Sequence, residues 1–188
     1  MIKVGITGSL ASGKSTASKF LSRRRGPLFS ADAVVKQLYK KPSFRRIVSK
    51  KFKIRNDNQI KKNLKRLIFN NVSNLKKLEK IIHPLIRKEM RSFSRKNKKE
   101  KTLFYEIPLL VENKLMNYFN VIIFLKAKRS VRLKRFKLKG GGEKLFNLMN
   151  NKQLSDIKKI KFCDHVIVNE KNLNILKKNL LDIIKLYA

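Results

Sequence analysis

Acidic residues are scarce: 12 Asp and Glu stand against 48 Lys and Arg, a formal net charge of +36 over 188 residues. A chain with so few carboxylates cannot neutralise itself internally, so polyanions come first among candidate partners. Cysteine is nearly absent. The single Cys163 excludes an internal disulfide, and with only Asp164 and His165 beside it there are too few ligands for a zinc site, so it reads as a small packing residue at a strand edge. Long apolar runs are missing too. Nothing approaches the roughly 18 consecutive apolar residues of a membrane span, and Met1-Ile2-Lys3-Val4 passes directly into a strand pattern instead of a charged-then-apolar leader. The expectation is a cytoplasmic protein with no membrane partner.

What is present is one domain's worth of chain, long enough to bury about 70% of its unfolded surface. Apolar residues make up 42% of the sequence and fall in periodic clusters along its whole length. The basic excess has two readings. Nucleic-acid binding needs cations concentrated on one face with aromatic platforms between them. A whole-chain drift toward lysine needs no such focus. Lysine recurs at nearly every polar position from Lys36 to Lys185, with no confined block and no RNA-binding motif, which favours drift and no specific nucleic-acid partner.

Along the chain, residues 2–7 form a short apolar β-run, a Gly/Ser-rich turn follows, and 15–25 carry Ala17, Phe20 and Leu21 at helical spacing. Gly26-Pro27 ends that helix, and Leu28-Phe29 forms a brief strand delivering Ser30-Ala31-Asp32 to its end. From 33 to about 90 the pattern is helical, with breaks near Lys41-Pro42, at 56–58 and at 70–74. Strands follow at 102–107, 120–126 and 164–169, and helices at 130–139, 143–160 and 173–186. Strands alternating with helices predict an α/β fold, a sheet of about five parallel strands covered on both faces.

The strongest motif is Gly8-Ser9-Leu10-Ala11-Ser12-Gly13-Lys14-Ser15, which fits G-x-x-x-x-G-K-[ST] between an apolar strand and an amphipathic helix. The glycines let the backbone curl so that its N–H groups and the helix N-terminus face phosphates. Lys14 is placed to reach the β- and γ-phosphates, Ser15 to ligate Mg²⁺, and Thr16 follows as a first-turn hydroxyl. This is the fingerprint of a P-loop nucleotide site with Mg²⁺, which by itself does not choose between a kinase, a GTPase and a motor ATPase. Asp32, at the carboxyl end of a strand expected next to the P-loop strand, could accept a proton from an attacking hydroxyl, help hold Mg²⁺, or cap a helix beginning at Ala33. His83 precedes Pro84 in a helical stretch that proline should break or kink; it either bonds a carbonyl at the kink or touches substrate. Glu106 ends a strand where a carboxylate can bind Mg²⁺ through water, and Glu112 is expected to support the following helix. Pro108-Leu109-Leu110 forms an apolar turn fit either for a ligand or for plain core packing.

Four blocks, in order, resemble dephospho-coenzyme A kinases over about residues 2–170. They are Ile6-Thr7-Gly8-Ser9-Leu10-Ala11-Ser12-Gly13-Lys14-Ser15-Thr16 with Ser30-Ala31-Asp32; Ile81-Ile82-His83-Pro84-Leu85-Ile86; Glu106-Ile107-Pro108-Leu109-Leu110-Val111-Glu112; and Gln153, Lys159, Asp164, Val166-Ile167 and Asn169. The resemblance implies transfer of the ATP γ-phosphoryl group to the ribose 3′-hydroxyl of dephospho-coenzyme A by a single-domain enzyme. Its core would lie near 1–32, 100–135 and 160–188, a helical substrate-binding region near 33–90, and a lid near 136–152. It implies Lys14 and Asp32 as catalytic residues, and Gly8, Ala11, Ser12, Gly13, Lys14, Ser15, Thr16 and Lys139 around the nucleotide. Thr7, Asp32, His83, Pro108 and Leu109 would meet the substrate, Ser15 and Glu106 the metal, and a monomer is favoured. Alternatives are another small-metabolite kinase, which would share the core but not the His83-Pro84 and Pro108-Leu109-Leu110 blocks, and a nonspecific nucleic-acid-binding P-loop protein.

The chain also departs from the family pattern. Ser30 stands where relatives place the first Asp of Asp-Ala-Asp, and Lys139 and Met149 occupy lid positions where they carry arginines. Lysine supplies charge without a planar fork, and methionine supplies neither. Gly140-Gly141-Gly142 should loosen the lid hinge and raise the entropic cost of closing it.

Overall fold

A computed structural model of the chain describes residues 1–55, 59–71 and 73–187. These divide into two compact units, residues 1–30 with 97–188, and residues 31–96. The first unit is built on five strands: β1 (Ile2–Gly8), β2 (Leu28–Ser30), β3 (Thr102–Glu106), β4 (Val121–Lys126) and β5 (His165–Val168). They pair in parallel in the order β2-β3-β1-β4-β5. β1, β3 and β4 are central and apolar on both faces, as parallel strands covered twice must be. β2 is not a neighbour of β1, as the sequence suggested; β3 lies between them. The register still aligns Ile6, Glu106 and Ser30 in one row across three strands.

Helices α1 (Lys14–Ser22) and α9 (Leu173–Lys185) supply Ala17, Leu21, Leu176 and Leu180 to a core with Val4, Ile6, Val121, Ile123, Leu125 and Ile167. The alternate residues of β1 point the other way. There Gly5 lets Leu110 and Phe119 approach the sheet, and a Cβ at this position would stand 2.9 Å and 3.0 Å from them. Tyr105 fills the same side, with its ring against Phe29, Tyr118 and Phe119.

The expected helix at 143–160 is two: α7 (Glu143–Asn151) and α8 (Asp156–Ile160). Ser155 explains the break, because its side chain accepts a hydrogen bond from the Lys158 N–H and starts a new helix. α6 (Arg129–Leu138) is joined to α7 by the glycines at 140–142. Contacts flank this hinge, while Gly140 and Gly142 themselves stand in open space. Phe136 and Phe146 meet edge to face at 5.6 Å, Lys137 pairs with Glu143, and Gly141 leaves the space that the Phe136 ring occupies.

The second unit holds four helices: α2 (Ala31–Leu38), α3 (Pro42–Phe52), α4 (Ile60–Asn70) and α5 (Ser73–Lys96). Leu38, Phe44, Val48, Ile60, Leu64, Leu78 and Ile82 form its core. The break at 41–42 coincides with Pro42 in the first turn of α3, where its missing N–H costs nothing. The break at 70–74 is marked by Asn71, whose side chain accepts from the Ser73 N–H. The break at 56–58 lies outside the described residues. Two expectations are corrected: α5 runs through Pro84 without ending, and α2 begins at Ala31, so Asp32 sits in its first turn and does not cap a helix starting at Ala33. No described helix is long and apolar enough to cross a membrane.

Candidate active site

The loop from β1 to α1 is shaped by residues at positive φ: Gly8 at 146°, Ala11 at 58° and Gly13 at 102°. Left-handed backbone curls the loop and costs little at glycine. Glycine is required twice over, since a Cβ on Gly8 would strike the Leu125 carbonyl and one on Gly13 would strike the Asn169 side chain. No side chain caps α1, so the positive end of its dipole is left facing the loop. Lys14 is folded into the loop, its Nζ donating to the carbonyls of Gly8 at 3.0 Å and Ser9 at 2.8 Å. The Ser12 hydroxyl is buried with no hydrogen-bond partner among the described residues. An orphaned donor here marks a place for ligand oxygen.

Beside the loop, Ser15 donates its hydroxyl hydrogen bond to Glu106 Oε1, and Ser18 lies 3.4 Å from Glu106 Oε2. Glu106 is only 4% exposed. A hydroxyl and a carboxylate together are hard oxygen donors of the kind Mg²⁺ takes, with water and phosphate completing its shell. Among the described residues no cluster of three or more His, Cys, Asp or Glu offers a metal cage. Thr7 is fully buried and its hydroxyl donates to the Pro108 carbonyl at 3.3 Å, fixing the turn that carries Pro108 and Leu109 over the end of β1.

Several side chains that the sequence did not single out as site residues hold this loop. Asn169 Nδ2 donates to the Ser12 carbonyl at 2.8 Å and is buried. Ser9 donates to Asp156 at the start of α8. Arg132, 7% exposed, reaches the Leu10 carbonyl at 3.4 Å and Asn150 Oδ1 at 2.7 Å, with Phe146 beneath its guanidinium. Burial pulls the Arg132 group below its ordinary pKa; Asp156 opposes this and Arg129 adds to it. Lys159 is wholly buried, 2.6 Å from Glu112 and 3.3 Å from Gln153. Glu112 also accepts from the Leu154 N–H, so it ties the turn after β3 to the approach to α8 instead of supporting its own helix. The local signal for Asn169, Gln153 and Lys159 was their spacing. Nothing local announced Arg132 or Asp156.

The first unit thus brings together Thr7, Gly8, Ala11, Ser12, Gly13, Lys14, Ser15, Thr16, Glu106, Pro108 and Leu109. Lys139 is exposed at the C-terminal end of α6. Asp32 and His83 belong to the second unit: Asp32 is exposed two residues beyond the end of β2, and His83 is half-buried on α5.

Comparison with known proteins shows the family and the fold. The family model for dephospho-CoA kinase matches residues 2–174. A Bartonella henselae dephospho-CoA kinase is 32% identical over 187 residues, 97% of this chain and 96% of its own. One from Fusobacterium nucleatum is 33% identical, with 93% of each chain covered. Among solved structures, a Thermus thermophilus protein superposes with a TM-score of 0.83 at 25% identity, covering 100% of this chain and 98% of its own. A shikimate kinase from Bacteroides thetaiotaomicron, at 0.59 and 14% over 98% and 97% of the chains, shares the fold alone.

Proposed function

The chain belongs to the dephospho-CoA kinase family, and from that membership we propose how its own residues divide the work. The reaction is the ATP-dependent phosphorylation of dephospho-coenzyme A that yields coenzyme A. The observation that carries the assignment of roles is the pairing of Ser15 with Glu106 beside a curled P-loop whose Ser12 hydroxyl is buried and has no partner among the described residues.

Phosphoryl transfer asks a protein for position and charge more than for covalent chemistry. The loop N–H groups and the start of α1 take the phosphates, and Lys14 leaves the Gly8 and Ser9 carbonyls to meet the β- and γ-oxygens as charge builds on them. Ser15 and Glu106 would hold Mg²⁺, which when bound would neutralise phosphate charge. Thr16 adds a first-turn hydroxyl. Lys139 brings a cation from the end of α6, and Arg132, already against the Leu10 carbonyl, is a second cation beside the loop.

The ribose 3′-hydroxyl is the acceptor in this reading, and Asp32 takes its proton. Ser30 is in register with Glu106, and Asp32 follows two residues later in the first turn of α2. With Ser30 in place of a carboxylate, Asp32 is the acid left in that segment. Thr7, Pro108 and Leu109 shape the acceptor side, and His83 offers it a polar contact. In this reading the enzyme works in the cytoplasm, and a monomer is favoured.

The test is a coupled assay of ADP release with dephospho-coenzyme A, and with adenosine and AMP as controls. ADP should appear only with dephospho-coenzyme A. Asp32→Asn should lower kcat by about 100-fold or more, as for loss of a positioned general base, with the KM for ATP little changed. Ser30→Asp should leave the rate equal or raise it. Equal turnover of adenosine would sink the substrate assignment, and full activity of Asp32→Asn would sink the base.

A further inference from the structure

Beyond the phosphoryl-transfer site, the first unit carries a second concave surface. A cavity of about 690 Å³ is lined by Lys19, Phe20, Arg23, Arg24, Arg25 and Lys177. Five of its six lining residues are cations, and none of the five pairs with a carboxylate among the described residues. Helix termination explains two of them. Arg25 donates to the carbonyls of Phe20 and Arg23 at the C-terminal end of α1, and Lys19 sits in its last turn, where the dipole favours a cation. It does not explain Arg24 or Lys177, which join the same cavity from the residues after α1 and from α9.

Two further features show a built surface. Arg24 has a φ of 65°, the left-handed conformation that closes helices and normally falls to glycine or asparagine. A side chain there is held against its backbone preference, and it adds a guanidinium to the rim. Lys177 arrives from α9, its Nζ 5.6 Å from the centre of the Phe20 ring, while Arg25 lies 5.7 Å from the same ring. Four of the five cations lie within residues 19–25, and folding brings Lys177 of α9 beside them.

We propose that this cavity binds single-stranded RNA through its phosphate backbone, as a site separate from the nucleotide cradle at the other end of α1. Nine residues of α1 separate the two by about 13 Å of helix axis. Arginine forks match phosphate oxygens two at a time, and guanidinium planes offer faces on which unstacked bases settle. An open concavity lined by several cations suits an extended chain of phosphates better than one compact anion, because successive phosphodiesters engage successive cations. Nothing in this site depends on the kinase reading, and it can fail alone.

The experiment is fluorescence anisotropy of a labelled 12-nucleotide oligouridylate titrated with the full chain across a potassium chloride series. A triple variant, Arg23→Gln, Arg24→Gly and Lys177→Gln, is compared with a control triple, Lys98→Gln, Lys99→Gln and Lys101→Gln, which removes equal charge from another exposed stretch. The cavity triple should lose about tenfold more affinity than the control, and its slope of log K against log salt should fall by about 2, as three lost phosphate contacts on a single strand require. Arg24→Gly alone should fold at least as well as the parent, because glycine suits that φ. ADP release should be the same in all variants. Equal losses in the two triples would overturn the site, leaving only diffuse attraction. Displacement of the RNA by inorganic triphosphate or polyglutamate at the same total charge would overturn the choice of RNA.

Discussion

His83 shows how much one residue's surroundings narrow its role. Burial pulls its imidazole below the ordinary value near 6.5; Glu79 opposes the shift and Arg87 adds to it. At neutral pH the ring is therefore uncharged, suited to a polar contact with a substrate group and unsuited to clamping a phosphate. The same shift has a sign for stability. On acidification the unfolded chain takes up the His83 proton before the folded one does. The contribution is therefore complete above pH 6.5, declines as pH falls toward the depressed folded value, and levels off below it. Melting temperatures measured from pH 7.5 to 5 should fall for the parent protein and fall less for His83→Gln. Parallel curves for the two would show that the imidazole titrates alike in both states.

At the scale of elements, what was legible in the sequence is what is encoded locally. The P-loop, its flanking strand and helix, and the carboxylate ending β3 are contiguous patterns, and Lys14, Ser15 and Glu106 lie where those patterns put them. The split between α7 and α8 hinged on Ser155, whose capping signal competes with an unbroken apolar periodicity around it. The placing of β3 between β1 and β2 is a matter of long-range pairing, which no local pattern carries. Glu112 and Lys159 are the sharpest case. Each belongs to a recognisable block, but nothing local pairs the two; they form an ion pair at 2.6 Å with Lys159 fully enclosed, joining the turn after β3 to α8, whose Asp156 holds Ser9 of the P-loop. Removing one partner leaves a buried charge uncompensated, so Glu112→Ala should cost about 3 kcal/mol in denaturant melts. The double variant Glu112→Leu with Lys159→Met should recover much of that stability, because an apolar pair has no charge to desolvate. A single variant no less stable than the double would mean that water reaches Lys159 and the pair contributes little.

For the molecule as a whole, charge is the dominant fact. With 12 acids for 48 bases, the acids neutralise at most a quarter of the basic charge, and the remainder repels itself across the surface. One cause should then have two opposite-looking effects as salt is added. Self-repulsion destabilises the compact state more than the expanded one, so screening should raise the melting temperature. The same field draws anionic substrates toward the protein, so screening should weaken their capture. Inside the cradle, contacts to phosphate are short and shielded from solvent ions, and the chemical step should scarcely respond. Between 20 and 200 mM potassium chloride the Debye length shrinks from about 20 Å to about 7 Å, shorter than the span of the basic surface. Over that range the KM for ATP should rise several-fold while kcat stays within about a factor of two, and thermal melts in the same buffers should move upward. A KM indifferent to salt would mean that the charge excess does not steer the nucleotide. A kcat falling together with the melting temperature would mean that salt loosens the fold, the opposite of what repulsion among 48 bases requires.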